Sequence, residues 1–157
     1  MFEAQTEWIS PESFPDLKDH KYISIDLETR DPNLKSKGSG ALINEGEIVG
    51  IAVAVEGWSG YYSFGHKEGN FFDESVVMGW IKEICALPNV KLFHNAMYDV
   101  CWLRAYGVQI NGHIVDTMVM ASLVDENRLW YSLNSLSIDY LGQIKDETAL
   151  RAAADKA

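Results

Sequence analysis

The sequence predicts a mixed α/β fold, a five-stranded sheet with helices on both faces, and three observations carry that reading. KYISIDLE (21–28) alternates strictly, with Ile23, Ile25 and Leu27 on one side and Tyr22, Ser24, Asp26 and Glu28 on the other. EIVGIAVAVEGWSGYYSF holds two further strands, about 47–55 and 58–64, around a Glu56-Gly57 turn. At Asp73 the apolar period lengthens from two to about 3.6 residues, and strands and helices alternate from there on.

Each element has a local cause. Residues 1–20 carry Pro11 and Pro15 and read as an irregular leader to a single domain whose core is 21–157. RDPNLKSKGSGALINEGE, rich in Gly, Asn and Lys, predicts a mobile surface loop before the hairpin completes an antiparallel meander. Asp73 is placed to cap a helix whose apolar positions are Val76, Val77, Trp80, Ile81, Ile84 and Cys85, with Pro88 beyond its end. NVKLFH (89–94) is a short buried strand. Asn95 is expected to cap the next helix, which runs through Met97, Tyr98, Cys101, Trp102 and Leu103 to Gly107. HIVDT is strand-like and MVMASLV helical; SLNSLSIDYL and the Ala-rich ETALRAAADKA then predict two more helices, the last running to the final residue.

Composition narrows the class. The chain has 157 residues, 47% apolar and 23% charged, with 13 Lys+Arg against 23 Asp+Glu for a formal charge of −10. A chain of this length buries roughly 68–70% of its unfolded surface, which excludes a disordered, collagenous or disulfide-stapled chain. The longest apolar stretch, Ile48 to Val55, is far short of the roughly 20 residues a membrane helix needs. Glu3 and Glu7 stand where a secretory signal would be basic, so an intracellular, cytoplasmic protein is expected. Cys85 and Cys101 form no C-x-x-C pair and read as packed thiols. The negative charge argues against a broad basic nucleic-acid face, yet suits an enzyme that grips phosphates through divalent metals.

Asp26 and Glu28, at i and i+2 on a strand otherwise built from Ile and Leu, point to one face about 6–7 Å apart along the strand. Two acids in such a setting repel unless a cation or proton sits between them. A wet face on an antiparallel strand accounts for the pair equally well. Asp99 falls in the first turns of the helix after FHNAMY, where it can be aimed at the same point; taken alone, it is an acid favoured by the helix dipole.

D-x-E-T (Asp26, Glu28, Thr29) on the first strand, followed by N-x-x-x-Y-D (Asn95, Tyr98, Asp99) opening a later helix, resembles the first two motifs of the DEDD (DnaQ-like) 3′-5′ exonucleases, which have a ribonuclease-H-like fold. WISPESFPDL, DPNLKSKGSG, YYSFGHKEGN, NGHIVDTM and SLSIDYLG look, in collinear order, like the proofreading domain of bacteriophage and bacterial family A DNA polymerases. The resemblance implies two-metal hydrolysis of the 3′-terminal phosphodiester of single-stranded DNA or a frayed 3′ end, with Mg²⁺ or Mn²⁺ as the metals. It implies that Asp26 bridges both ions, that Glu28 joins it on the ion that activates water, and that Asp99 holds the other. Thr29 and Tyr98 would lie against the terminal nucleotide, Asn95 would steady the second motif, and Leu34 would give the terminal base an apolar contact, although its spacing differs from the compact D-x-E-T-x-x-L form. His66 in GHKEGN either faces the substrate edge or binds backbone near the strand end. Trp58, Tyr61 and Tyr62 read as sheet packing, and Asp116 in DTM resembles a structural position behind the ligands.

The third family motif, Y-x-x-x-D or H-x-x-x-x-D on a later helix, has no counterpart. The first pattern occurs only as Tyr22 to Asp26 and the second only as His94 to Asp99. The expectation is a domain truncated before that helix, whose activity alone is weak or absent unless a polymerase domain or a partner chain supplies the missing acid. The alternatives are a non-catalytic module that docks on nucleic acid or on a replication partner, and a nuclease of the same fold acting on RNA.

Overall fold

Alternation along the first strand decides which face of the sheet is dry. In β1 (Tyr22–Arg30), Ile23, Ile25 and Leu27 are buried while Asp26 and Glu28 are exposed. The structure, a computed structural model, describes residues 10–67 and 69–143, so the first nine residues of the leader and the Ala-rich segment expected to be helical lie outside the described residues. The chain divides into two compact units, Ser10–Thr117 and Met118–Ala157 together with Met1–Ile9.

In the Ser10–Thr117 unit, β2 (Glu47–Val55) and β3 (Trp58–Ser63) form the expected hairpin, closed by the Val55–Trp58 pair. β4 (Val90–Phe93) and β5 (Ile114–Asp116) complete one sheet of order β3-β2-β1-β4-β5. β1 is its middle strand, antiparallel to β2 and parallel to β4. The β1–β2 register shifts between Glu28 and Thr29, Glu28 facing Gly50 but Thr29 facing Ile48, which leaves Val49 as the extra residue of a bulge beside the acids.

α3 (Glu74–Ala86) is capped as its sequence predicts, Asp73 Oδ1 accepting the Ser75 N–H at 2.8 Å, and it buries Val77, Trp80, Ile81, Ile84 and Cys85. The leader is irregular but anchored. Phe14 stacks on Tyr62 at 4.9 Å, the Tyr62 hydroxyl donates to Ser13 O at 2.8 Å, and Trp80 Nε1 donates to Pro15 O at 3.1 Å. Lys91 is a fully buried cation whose Nζ donates to Leu87 O, Asn89 O and Asn111 O; those three bonds offset the cost of taking its charge out of water.

Two sequence expectations are corrected. The 30–47 segment is not a featureless loop: it winds into two single turns, α1 (Leu34–Lys37) and α2 (Gly40–Ile43). The Asp31 carboxylate accepts the Gly40 N–H at 3.0 Å, and Glu45 accepts from Asn33 and Lys37, so side chains supply the partners that a sheet would give. Asn95 opens α4 (Ala96–Ala105), but its side chain makes no capping bond. Its backbone sits in the left-handed region at φ 68°, a conformation that Asn tolerates better than most residues.

In the other unit, α5 (Thr117–Val124) starts at the last residue of the first unit, and α6 (Leu133–Leu141) follows. Ser132 caps α6 by accepting the Ser135 N–H at 3.2 Å. Gly142, at φ 65°, ends it with N–H bonds from Gly142 to Ile138 O and from Gln143 to Ser137 O. Ala121 and Leu136 are its buried apolar residues among those described.

Candidate active site

The β1–β4 ladder ends at Ser24, and three residues further the N–H of Leu27 is taken by a side chain. Asp99 Oδ1 accepts it at 3.0 Å. This bond plants the third acid against the peptide that joins Asp26 to Leu27. Asp99 reaches it because α4 turns Ala96, Asp99, Trp102 and Leu103 inward, spaced about one helical turn apart. Met97, on the outward side of the same helix, is 75% exposed.

The end of α4 is fixed from outside the helix. Asp116, at the close of β5, accepts the N–H of Asn95 at 3.0 Å and of Ala96 at 2.8 Å, and so takes the capping task expected of Asn95. A carboxylate there is also favoured by the helix dipole. At the next residue, Thr117 Oγ1 donates to Phe93 O at 3.0 Å and lies 2.9 Å from His94 Nδ1.

Burial keeps Asp99, at 4% exposure, away from water, and the nearby charges of Asp26 and Asp116 add to that effect. Together these outweigh the Leu27 N–H and push the Asp99 carboxyl up to about 7. An acid held so close to another is relieved by a proton or a cation.

The remaining predicted residues divide between two sides. Thr29 Oγ1 lies 2.6 Å from the Tyr98 hydroxyl, which also donates to Asp31 Oδ2 at 3.3 Å, so the end of β1, α4 and the 31–46 segment meet there. Leu34, 42% exposed, opens α1, and its N–H bonds to Asp31 O at 3.3 Å; it therefore belongs to the segment bordering Tyr98. On the β3 side, His66 Nε2 lies 2.5 Å from the Tyr61 hydroxyl, and the His66 backbone is clipped on both sides by the Asn70 amide at 2.8 and 2.6 Å.

Tyr61 is the residue that sequence reasoning left out. In the register it stands opposite Ala52, which stands opposite Asp26. Burial first, and then the charges of Glu28 and Asp26, push its phenol up to about 12. Tyr62 and Trp58 do pack as read, Tyr62 fully buried and Trp58 against the core. The small residue facing Glu28, Gly50, was the available signal, but only the hairpin register gives it meaning.

Among the described residues, no three His, Cys, Asp or Glu side chains stand together as a closed ligand set. Asp26 and Asp99 do form a pair of hard oxygen donors whose charges oppose one another. One or two carboxylates, completed by substrate oxygens and water, are the donor set that Mg²⁺ usually takes, so the pair fits such an ion.

A DNA-directed DNA polymerase of Pseudomonas phage M6 is 29% identical over 158 residues, covering 96% of this chain, while the chain spans only 24% of that polymerase. The solved structure of Escherichia coli RNase D superposes with a TM-score of 0.60 at 16% identity, covering 86% of this chain and 32% of the other. Brucella melitensis NrnC with bound Mg²⁺ superposes with a TM-score of 0.59 at 14% identity, covering 85% and 61%. These likenesses show the ribonuclease-H-like fold. No helix among the described residues is long and apolar enough to cross a membrane. The family profile described as 3′-5′ exonuclease matches residues 4–157, nearly the whole length, and the chain belongs to that family.

Proposed function

We propose that this chain acts as the proofreading 3′-5′ exonuclease part of a phage DNA polymerase, hydrolysing the terminal phosphodiester of a single-stranded or frayed DNA 3′ end. The observation that carries the reading is the Asp99–Leu27 bond, which brings the second-motif acid against the strand bearing Asp26 and Glu28. Asp26 and Asp99 would hold one divalent ion, and Glu28 with Asp26 a second, Mg²⁺ or Mn²⁺ in each case. When bound, such ions lower the pKa of water and stabilise the departing oxygen. Thr29 and Tyr98, locked to each other at 2.6 Å, give the terminal nucleotide a fixed edge to lie against, with Leu34 and Asn95 beside it. His66 borders the opposite side. The 29% identity to a phage polymerase supports a DNA substrate and a polymerase domain as the working partner, inside an infected bacterial cell.

Substrate oxygens, with a further acid from the polymerase domain or a partner chain, would complete the ligand set. Activity of the isolated chain is accordingly expected to be slow. The test is digestion of a 5′-labelled single-stranded DNA oligonucleotide with Mn²⁺, comparing the chain with Asp26→Ala. A ladder shortening from the 3′ end that disappears in the variant supports the reading. A ladder that survives Asp26→Ala, or an equal preference for RNA, sinks it.

A further inference from the structure

We propose that Tyr61, its hydroxyl held by His66, is a positioning residue for Glu28 in phosphodiester hydrolysis; the inference rests on the exonuclease reading above. Gly50 is the cross-strand partner of Glu28, and such partners share a face about 4.5–5.5 Å apart. A Cβ built on Gly50 would meet the Tyr61 hydroxyl at 2.0 Å and the ring carbon that bears it at 2.5 Å. The phenol of β3 therefore reaches across β2 and sets its tip over the residue paired with Glu28, in the one place of that row with no side chain. The charge of Glu28 acts on this phenol ahead of that of Asp26.

His66 lies on the other side of the same hydroxyl, at 2.5 Å, with its own backbone clipped by Asn70. A phenol has one proton to donate and lone pairs to accept with. When His66 Nε2–H donates to Tyr61, the tyrosine proton is left to turn toward the carboxylate. Glu28 is exposed and follows three rotatable bonds, so a donor fixed by a third group limits where its oxygens sit. Gly50 is what leaves room for the arrangement.

The test uses this chain, its Tyr61→Phe variant and Asp26→Ala. It reads Mn²⁺ affinity by calorimetry and 3′-end cleavage of a labelled DNA oligonucleotide under single turnover. Tyr61→Phe keeps the ring and its packing. The expected result is an unchanged melting curve, Mn²⁺ affinity and cleavage rate lower by about 10–100-fold, and an unchanged affinity for the oligonucleotide. His66→Ala is expected to reproduce the loss and His66→Gln, which keeps a side-chain N–H, to restore part of it. Where cleavage is slow, Mn²⁺ affinity decides. Wild-type affinity and rate in Tyr61→Phe, with Mn²⁺ binding lost in Asp26→Ala, overturn this inference alone. Mn²⁺ binding that is absent in the wild type, or indifferent to Asp26→Ala, overturns the exonuclease reading and this inference with it.

Discussion

Asp99 Oδ1 accepts the backbone N–H of Leu27 at 3.0 Å, a bond between residues 72 apart in sequence. It sits where β1 has left its parallel neighbour, so a side chain replaces a strand as partner of the backbone. The same contact that completes the pairing of β1 also sets Asp99 where the charge of Asp26 acts on it.

The Asp99 carboxyl stands at about 7 in the folded chain against an ordinary 3.8, chiefly through burial. Between those values the folded state keeps a proton that the unfolded state releases, so stability falls as pH rises from about 4 to 7 and is level above. The loss is on the order of 4 kcal/mol in EDTA. Asp99→Asn keeps an oxygen for Leu27 and has no proton to lose. Thermal melts in EDTA are expected to coincide near pH 4 and to diverge by pH 8, with the variant the more stable. Parallel melting curves across that range would refute the assignment.

Asp116 serves two backbone donors at the start of α4. Asp116→Ala is expected to cost about 1–2 kcal/mol in urea unfolding. Faster amide exchange should be confined to the first turn, Asn95 to Asp99. Uniform acceleration along α4 would mean that the cap is not the cause.

Gly40→Ala places a Cβ 1.8 Å from the Glu45 carbonyl oxygen, a backbone atom that cannot swing aside. The expected loss is about 2–3 kcal/mol by urea denaturation. Gly57→Ala is the comparison: nothing lies within 4 Å, but φ is +81°, so only the left-handed backbone is penalised, by about 1 kcal/mol. Equal losses would show that crowding at Gly40 is relieved.

Lys91→Met fills the same slender space but leaves the carbonyls of Leu87, Asn89 and Asn111 without their donor. Unfolding free energy is expected to drop by about 2–4 kcal/mol. A variant as stable as the wild type would mean that water takes over the three carbonyls.

The sequence by itself determined the local facts: the alternation that turns Asp26 and Glu28 to the exposed face of β1, the two-residue hairpin, the Asp73 cap, and Asp99 in the first turns of α4. These follow from periods of 2 and 3.6 residues, which any short window displays. Tertiary structure decided who meets whom. That Asp116 caps α4 in place of Asn95 depends on β5 lying parallel to β4, and that Asp99 reaches Leu27 depends on β4 lying parallel to β1. That Tyr61 faces Glu28 across Gly50, where its composition reads as packing, depends on a register that a one-residue slip would turn to the other face. The turns α1 and α2 were hidden for a similar reason, since Asp31, Asn33 and Glu45 hold them through contacts 8 to 12 residues apart. Pairings of this kind are set by the whole sheet and its loops, so no local window contains them.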